Sequence, residues 1–383
     1  MMPMYKELSV YIHIPFCVQK CLYCDFLSAP VTEEVREQYV ERLIREIRGE
    51  GKNYTDYIVK SVFFGGGTPS LLAPWQVVRI MDCICESFVL ESGCEISIEA
   101  NPGTVSADKV KAWKNAGVNR VSIGAQTLDD EELRRLGRIH TSRDFYHTYE
   151  LVVKSGFSNV NIDLMTAIPG QSKESCLATL KAVKGLQVKP THVSAYSLII
   201  EEETPFYEHC PDLPDEEAER EIDKITSEFL NDMGYRRYEI SNYALPGFAC
   251  RHNQVYWRRG NYVGFGIGAA SMVENVRFSN ARDLKGYLQD GPKKEQVQRL
   301  SLEEQMEEFM FLGLRMTEGV SRRAFREAFG QEIDHVYPGI VEKYVKEGLM
   351  KESFGSDGQS GQIALTDFGM DVSNVVMADF LLT

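Results

Sequence analysis

Residues 8–198 carry six successive repeats of a strand-like run followed by a helical run, and this alternation leaves few folds open. Apolar, β-branched and aromatic residues cluster near 8–14, 59–64, 95–99, 119–123, 159–164 and 191–198, as strands require. Between them apolar residues recur at three- and four-residue spacing, as helix faces do. Val35, Tyr39, Leu43 and Ile47 mark 33–48; Val77, Ile80, Ile84 and Phe88 mark 75–89. Such alternation builds a parallel sheet covered by helices. Six units fall short of a closed eightfold barrel and predict an α/β fold with an open, partial (β/α)6 barrel. Its functional groups should gather at the C-terminal ends of the strands.

Cys17, Cys21 and Cys24 follow the first of these runs directly, at C-x3-C-x2-C spacing. Iron–sulfur clusters are normally tied by four thiolates, so three on one loop can hold three irons of a four-iron cluster and leave the fourth open. An open metal position is where a small molecule binds. Half of a zinc site is the competing reading, but zinc wants four ligands and no second Cys-x2-Cys pair follows. Cys83, Cys85, Cys94, Cys176, Cys210 and Cys250 are scattered and read as packing residues.

The formal net charge of −14 argues against a general nucleic-acid binder and against broad adhesion to anionic lipid, although pairs such as Arg258-Arg259 could touch a surface. No apolar run approaches a membrane span, and residues 1–16 lack the pattern of a signal peptide. Cytoplasm is the expected compartment, and its reducing chemistry suits free thiols.

A helix near 214–232 and a strand near 235–240 follow the repeats, then an irregular stretch over 241–268 rich in Gly, Asn and aromatics. From about 300 the character changes. Leu302, Met306, Phe309, Met310 and Leu314 form a helical stripe; helices near 321–330 and 336–348 and two short strands around 349–365 follow, with Gly355–Gly361 as a flexible turn. The expected division is a core over 1–290 and a small helical, winged-helix-like domain over 300–383. Without a basic recognition helix, the latter reads as an interaction or lid module.

Further polar groups fall at later strand ends. Gly65-Gly66-Gly67-Thr68-Pro69 closes the second strand, and its glycines allow backbone to approach a ligand; the Lys-Ser/Thr ending of a phosphate loop is absent. Glu99, Gln126 and Asp163 close the third, fourth and fifth strands, and Arg138 lies in Leu136-Gly137-Arg138-Ile139-His140. Buried polar groups at such ends need partners.

The cysteine spacing followed by Asp25-Phe26, the glycine run and these strand-end residues resemble the radical S-adenosylmethionine (SAM) superfamily. Within it, the chain is similar to the oxygen-independent coproporphyrinogen III oxidases and the HemW-type haem chaperones, from Tyr11-Ile12-His13-Ile14-Pro15-Phe16-Cys17 to Leu365-Thr366-Asp367-Phe368-Gly369. The resemblance implies a [4Fe–4S] cluster on Cys17, Cys21 and Cys24 whose free iron SAM chelates. It implies SAM contacts from Tyr11, Tyr23, Gly66, Gly67, Thr68, Glu99, Gln126, Arg138, Asp163, Ser197 and Ala270. Thr68 departs from the acidic residue that usually ends the glycine motif.

Two features separate the branches. The oxidases carry a fourth cysteine two residues after the third and a longer N-terminal arm, whereas here Phe26 takes that place and sixteen residues precede Cys17. His252-Asn253-Gln254-Val255-Tyr256-Trp257 resembles the H-N-x-x-Y-W signature of the chaperone branch, which makes His252 a candidate haem ligand with Tyr256 and Trp257 as flat faces. The alternative is a hydrogen-bonded loop histidine beside two core aromatics. The expected function is a haem chaperone passing haem to apo-haem proteins, such as respiratory ones, with peripheral membrane contact. The competing function is oxidative decarboxylation of coproporphyrinogen III in porphyrin biosynthesis. The implied SAM site either supports cleavage or only shapes the cavity.

Overall fold

The computed structural model describes residues 5–354 and 361–382, so most of the turn expected at Gly355–Gly361 lies outside the described residues. The repeats fold as β1 (Lys6–Ile14), α1 (Glu33–Glu50), β2 (Tyr57–Gly66), α2 (Pro74–Ser87), β3 (Val89–Ala100), α3 (Ala107–Asn115) and β4 (Arg120–Gln126). Then come α4 (Asp130–Arg135), α5 (Ser142–Lys154), β5 (Asn159–Thr166), α6 (Lys173–Lys184) and β6 (His192–Ser197). All six strands stand where the sequence places them, each parallel to its neighbour.

Local chemistry sets the helix starts. Thr32 caps α1 by accepting from the Val35 N–H at 3.5 Å, with Glu33 and Glu34 in the first turn. Tyr39, Leu43 and Ile47 of α1 and Val77, Ile80 and Ile84 of α2 are buried against Val10, Ile12 and Ile14 of β1 and Val59, Val62 and Phe64 of β2. Each such side chain removed from water is worth about 1.5–3 kcal/mol before entropy is set against it.

The chain continues through α7 (Pro205–Glu208), α8 (Glu216–Asp232), β7 (Arg236–Glu239), β8 (Asn242–Ala244), α9 (Arg251–Trp257), β9 (Tyr262–Phe265), β10 (Ala270–Val273), β11 (Val276–Asn280), α10 (Leu284–Asp290) and β12 (Lys294–Arg299). The stretch 241–268, expected to be irregular, therefore holds two strands and a helix. β9 runs parallel to β1, pairing Ser9 with Tyr262 and Ile12 with Phe265, and so extends the sheet beyond its first strand. α9 has no side-chain cap of its own. Instead the Glu95 carboxylate of β3 accepts the Arg251 and His252 N–H groups, both at 3.1 Å. A cap supplied from so far along the chain leaves no local signal.

The resulting sheet has twelve strands among the described residues, in the order β12-β11-β10-β9-β1-β2-β3-β4-β5-β6-β8-β7, and stays open at both edges. After it come α11 (Leu302–Gly313), β13 (Val320–Ser321), α12 (Arg322–Phe329), α13 (Ile333–Val336), α14 (Ile340–Lys346), β14 (Met350–Phe354), β15 (Gly361–Leu365), α15 (Asp367–Asp371) and α16 (Ser373–Ala378). The helix expected over 336–348 is split because Pro338 and the left-handed Gly339 (φ 75°) interrupt it. The hairpin expected around 349–365 gains a third strand, in the order β13-β15-β14. Met306, Met310, Phe325, Tyr344 and Ile363 belong to a hydrophobic cluster of their own, distinct from that of the large sheet.

Candidate functional site

The C-terminal ends of β1–β6 open into a cavity of about 530 Å3. Cys17, Cys21 and Cys24 line it, half-buried and unpaired. Their loop is tied down at both ends and at its tip: Cys17 N–H donates to Ala29 O at 3.2 Å, Ala29 N–H to Pro15 O at 3.1 Å, and Leu22 N–H to Leu136 O at 3.2 Å. Glycine is required beneath it, since a Cβ on Gly67 would come within 2.7 Å of Phe16 O and 3.0 Å of Cys17 Sγ. Burial pushes the Cys24 thiol up to about 11, so it stays protonated until a metal displaces the proton. Among the described residues no three His, Cys, Asp or Glu side chains converge as a single ion would need. Three thiols spaced along one loop fit a cluster in which each sulfur meets its own iron.

A polar chain runs from this loop across the strand ends. Cys17 Sγ lies 3.5 Å from Thr68 Oγ1, which accepts from Asn101 Nδ2 at 2.9 Å. Asn101 Oδ1 accepts from Arg138 Nη1 at 3.3 Å, while Arg138 Nε has no partner among the described residues. Gln126 is held in the left-handed region (φ 66°), where a non-glycine residue is strained, and its Oε1 accepts the Tyr196 hydroxyl at 2.9 Å. Asn101 and Tyr196 escaped sequence reasoning; the Asn-Pro after β3 was visible, but its partners are distant in the chain.

Two acids sit deep in the cavity. Asp163 accepts from Ser122 Oγ at 3.1 Å and Asn161 Nδ2 at 2.7 Å, and burial raises its carboxyl above the usual range. Burial, followed by the like charge of Asp163, lifts Glu99 to about 8, against the opposing pull of the Gly66 backbone and Arg120. Near neutral pH Glu99 thus holds its proton and can both donate and accept, as a nucleoside hydroxyl requires.

Tyr23, Gly66, Gly67, Thr68, Glu99, Gln126, Arg138, Asp163 and Ser197 all line this cavity. Tyr11 does not; it lines a smaller cavity of about 180 Å3, and its hydroxyl lies 3.0 Å from His13 Nδ1. Ala270 is exposed on β10, two strands out from β1, and is not brought to either cavity.

His252 is 1% exposed, on α9 rather than on a loop. Its Nδ1 lies 2.9 Å from Ser61 Oγ and its Nε2 2.9 Å from the Tyr256 hydroxyl. The ring stacks on Phe63 (5.0 Å, 24°), and burial drives it down to about 3, so it is a neutral imidazole with both nitrogens engaged. Tyr256 meets His252 edge-on, and Trp257 is covered by the Arg315 guanidinium at 4.3 Å. In this arrangement both His252 nitrogens are hydrogen-bonded, and Tyr256 and Trp257 do not present open flat faces beside it. A macrocycle does not fit a cavity of about 180 Å3, since pockets for ligands of that size begin near ~300 Å3.

The family model of the radical SAM superfamily matches residues 11–183, and that of the HemN C-terminal domain matches residues 300–356. The chain is 35% identical to "Heme chaperone HemW" of Lactococcus lactis, covering 98% of each. It is 35% identical to the protein of the same name from Bacillus subtilis (97% and 99% covered) and 37% identical to that from Escherichia coli (90% and 92%). Among solved structures, coproporphyrinogen III oxidase (HemN) from Escherichia coli superposes with a TM-score of 0.85 at 23% identity, over 99% of this chain and 91% of that one. That likeness establishes a shared fold.

Proposed function

The chain belongs to the HemW family of the radical SAM superfamily, and from that premise we propose that it binds haem and hands it to apo-haem proteins. The observation that carries this reading is the rim of the larger cavity. Val18, Phe26, Ile139 and Ile199 all line it while 56–69% exposed, and apolar side chains grouped in the open around one cavity mark a binding surface. Such a rim suits a flat apolar cargo that must be released again. Phe26 occupies the place where the related oxidases carry a fourth cysteine, so a position for a further sulfur has become part of an apolar edge.

When bound, a four-iron cluster supplies one iron open to the amino-acid end of SAM. The chain's own residues orient the rest: Thr68 and Asn101 near the cysteines, Arg138 and Gln126 across the strand ends, and protonated Glu99 beside Asp163 in the depth. This reading puts haem at the rim, and the hydrogen bonds on both His252 nitrogens argue against that side chain as its ligand. The acceptor we favour is a respiratory haem protein, met from the cytoplasm at the membrane face; among the described residues no helix is long and apolar enough to cross a membrane.

Haem titration of the cluster-loaded protein tests this. Phe26→Asp with Ile199→Asp should weaken haem binding about ten-fold, a cost of ~1.4 kcal/mol, while leaving iron and sulfide content unchanged. Equal haem affinity in that variant would reject the rim.

A further inference from the structure

The smaller cavity holds a charge that nothing in the function above uses. Arg120 opens β4 and is 2% exposed, with its side chain lining this cavity. Its Nε has no hydrogen-bond partner, and among the described residues its guanidinium forms no ion pair; Cys250, Glu95, Tyr238 and Asp163 act on it only through space. A buried charge is normally paired, and an arginine is normally paired through two parallel N–H donors. The nearby acids do not serve. Asp163 is committed to Ser122 and Asn161, and Glu95 to the N-terminus of α9.

The surroundings describe what is missing. His252, Asn253 and Tyr256 of α9 line the cavity together with Arg120, so part of its wall is the His-Asn-x-x-Tyr segment. Glu99, Ser122, Asp163, Ser194 and Asn253 also line the larger cavity, which makes the smaller one its side chamber. At about 180 Å3 it takes a small group and no macrocycle.

We propose that this side chamber receives a small carboxylate group, held by the Arg120 guanidinium, with the His252-Asn253-Tyr256 face as its wall. A planar carboxylate matches the guanidinium fork and gives it the direct partner that Asp163, committed to Ser122 and Asn161, and Glu99, which keeps its proton near neutral pH, do not provide. Two sources share this chemistry: the propionate arm of a tetrapyrrole whose body lies outside the chamber, and a free short-chain acid.

The experiment titrates propionate into cluster-loaded protein saturated with SAM, so that the larger cavity is filled, with its neutral isostere propionamide as control. Wild-type protein should bind propionate at one site with a Kd of about 1 mM or tighter and bind propionamide at least about ten-fold more weakly. Arg120→Met should lose the propionate site and Arg120→Lys should recover part of it. The acid–amide comparison uses the unaltered chain, so it stays decisive even where Arg120→Met fails to fold. No propionate binding, which would mean that the chamber holds water only, or equal binding of acid and amide, overturns the proposal. Displacement of bound haem by propionate assigns the tetrapyrrole arm; simultaneous binding of both assigns a free acid, and either keeps the carboxylate site.

Discussion

The cysteine loop and helix α9 both carry residue patterns that point to iron, yet the structure treats them in opposite ways. Cys17, Cys21 and Cys24 are half-buried around a cavity of about 530 Å3, and their loop is fixed by backbone bonds that leave the sulfurs unspent apart from a 3.5 Å contact of Cys17 Sγ with Thr68 Oγ1. His252 is fully enclosed, and its ring is spent on Ser61, Tyr256 and Phe63. A donor ligates most readily where the fold leaves it accessible and lightly engaged. The first region keeps its donors in reserve; the second uses them to hold α9 in place.

The largest effect that would break this contrast lies in the loop. Cys21→Ser should abolish cluster assembly on anaerobic reconstitution, and retained four-iron content would contradict the ligand assignment. Next comes the helix. His252→Ala removes a stacked ring and leaves Ser61 and Tyr256 without their partner, which should cost about 3 kcal/mol of stability in chemical denaturation. Haem affinity in that variant should stay within about three-fold of wild type; loss of the Soret shift would restore His252 as a ligand.

Glu99 provides a third test. Its folded-state value, about 8, lies above its unfolded one, so the folded chain keeps the proton longer. The stability that this confers is complete below the unfolded value and is lost as pH rises through about 8, by at most ~1.4 kcal/mol per pH unit. Glu99→Gln should flatten the pH dependence of unfolding between pH 5 and 9 in SAM-free protein (roughly the window that linkage sets), and an unchanged slope would contradict the shift. The smallest effect concerns the polar chain. Thr68→Val removes the acceptor of Asn101 and should weaken SAM binding about five-fold, or ~1 kcal/mol, with cluster content intact.

Much of the barrel was legible because β1–β6 and α1–α2 bury their apolar faces locally, in periods that the sequence displays. The cysteines and strand-end residues were legible because parallel strands deliver their ends to one side. β9 was not, since a four-residue strand finds its partner 253 residues away in β1, Tyr262 opposite Ser9. α9 was hidden for a similar reason, as Glu95 caps it from another strand. Arg120 gave a faint signal, a charge at the head of a buried strand, Asn101 gave one only as part of Asn-Pro, and Asn161 gave none. The His252 segment was read from its residue types, and what those residues do depends on partners that only folding supplies.

The most direct test of the account pairs two measurements on one cluster-loaded, oxygen-free sample: haem transfer to an apo-haem protein, and conversion of coproporphyrinogen III in the presence of SAM and reductant. Transfer with no protoporphyrinogen formed is the predicted result. Steady porphyrinogen turnover, or haem that is neither bound nor passed on, would contradict it.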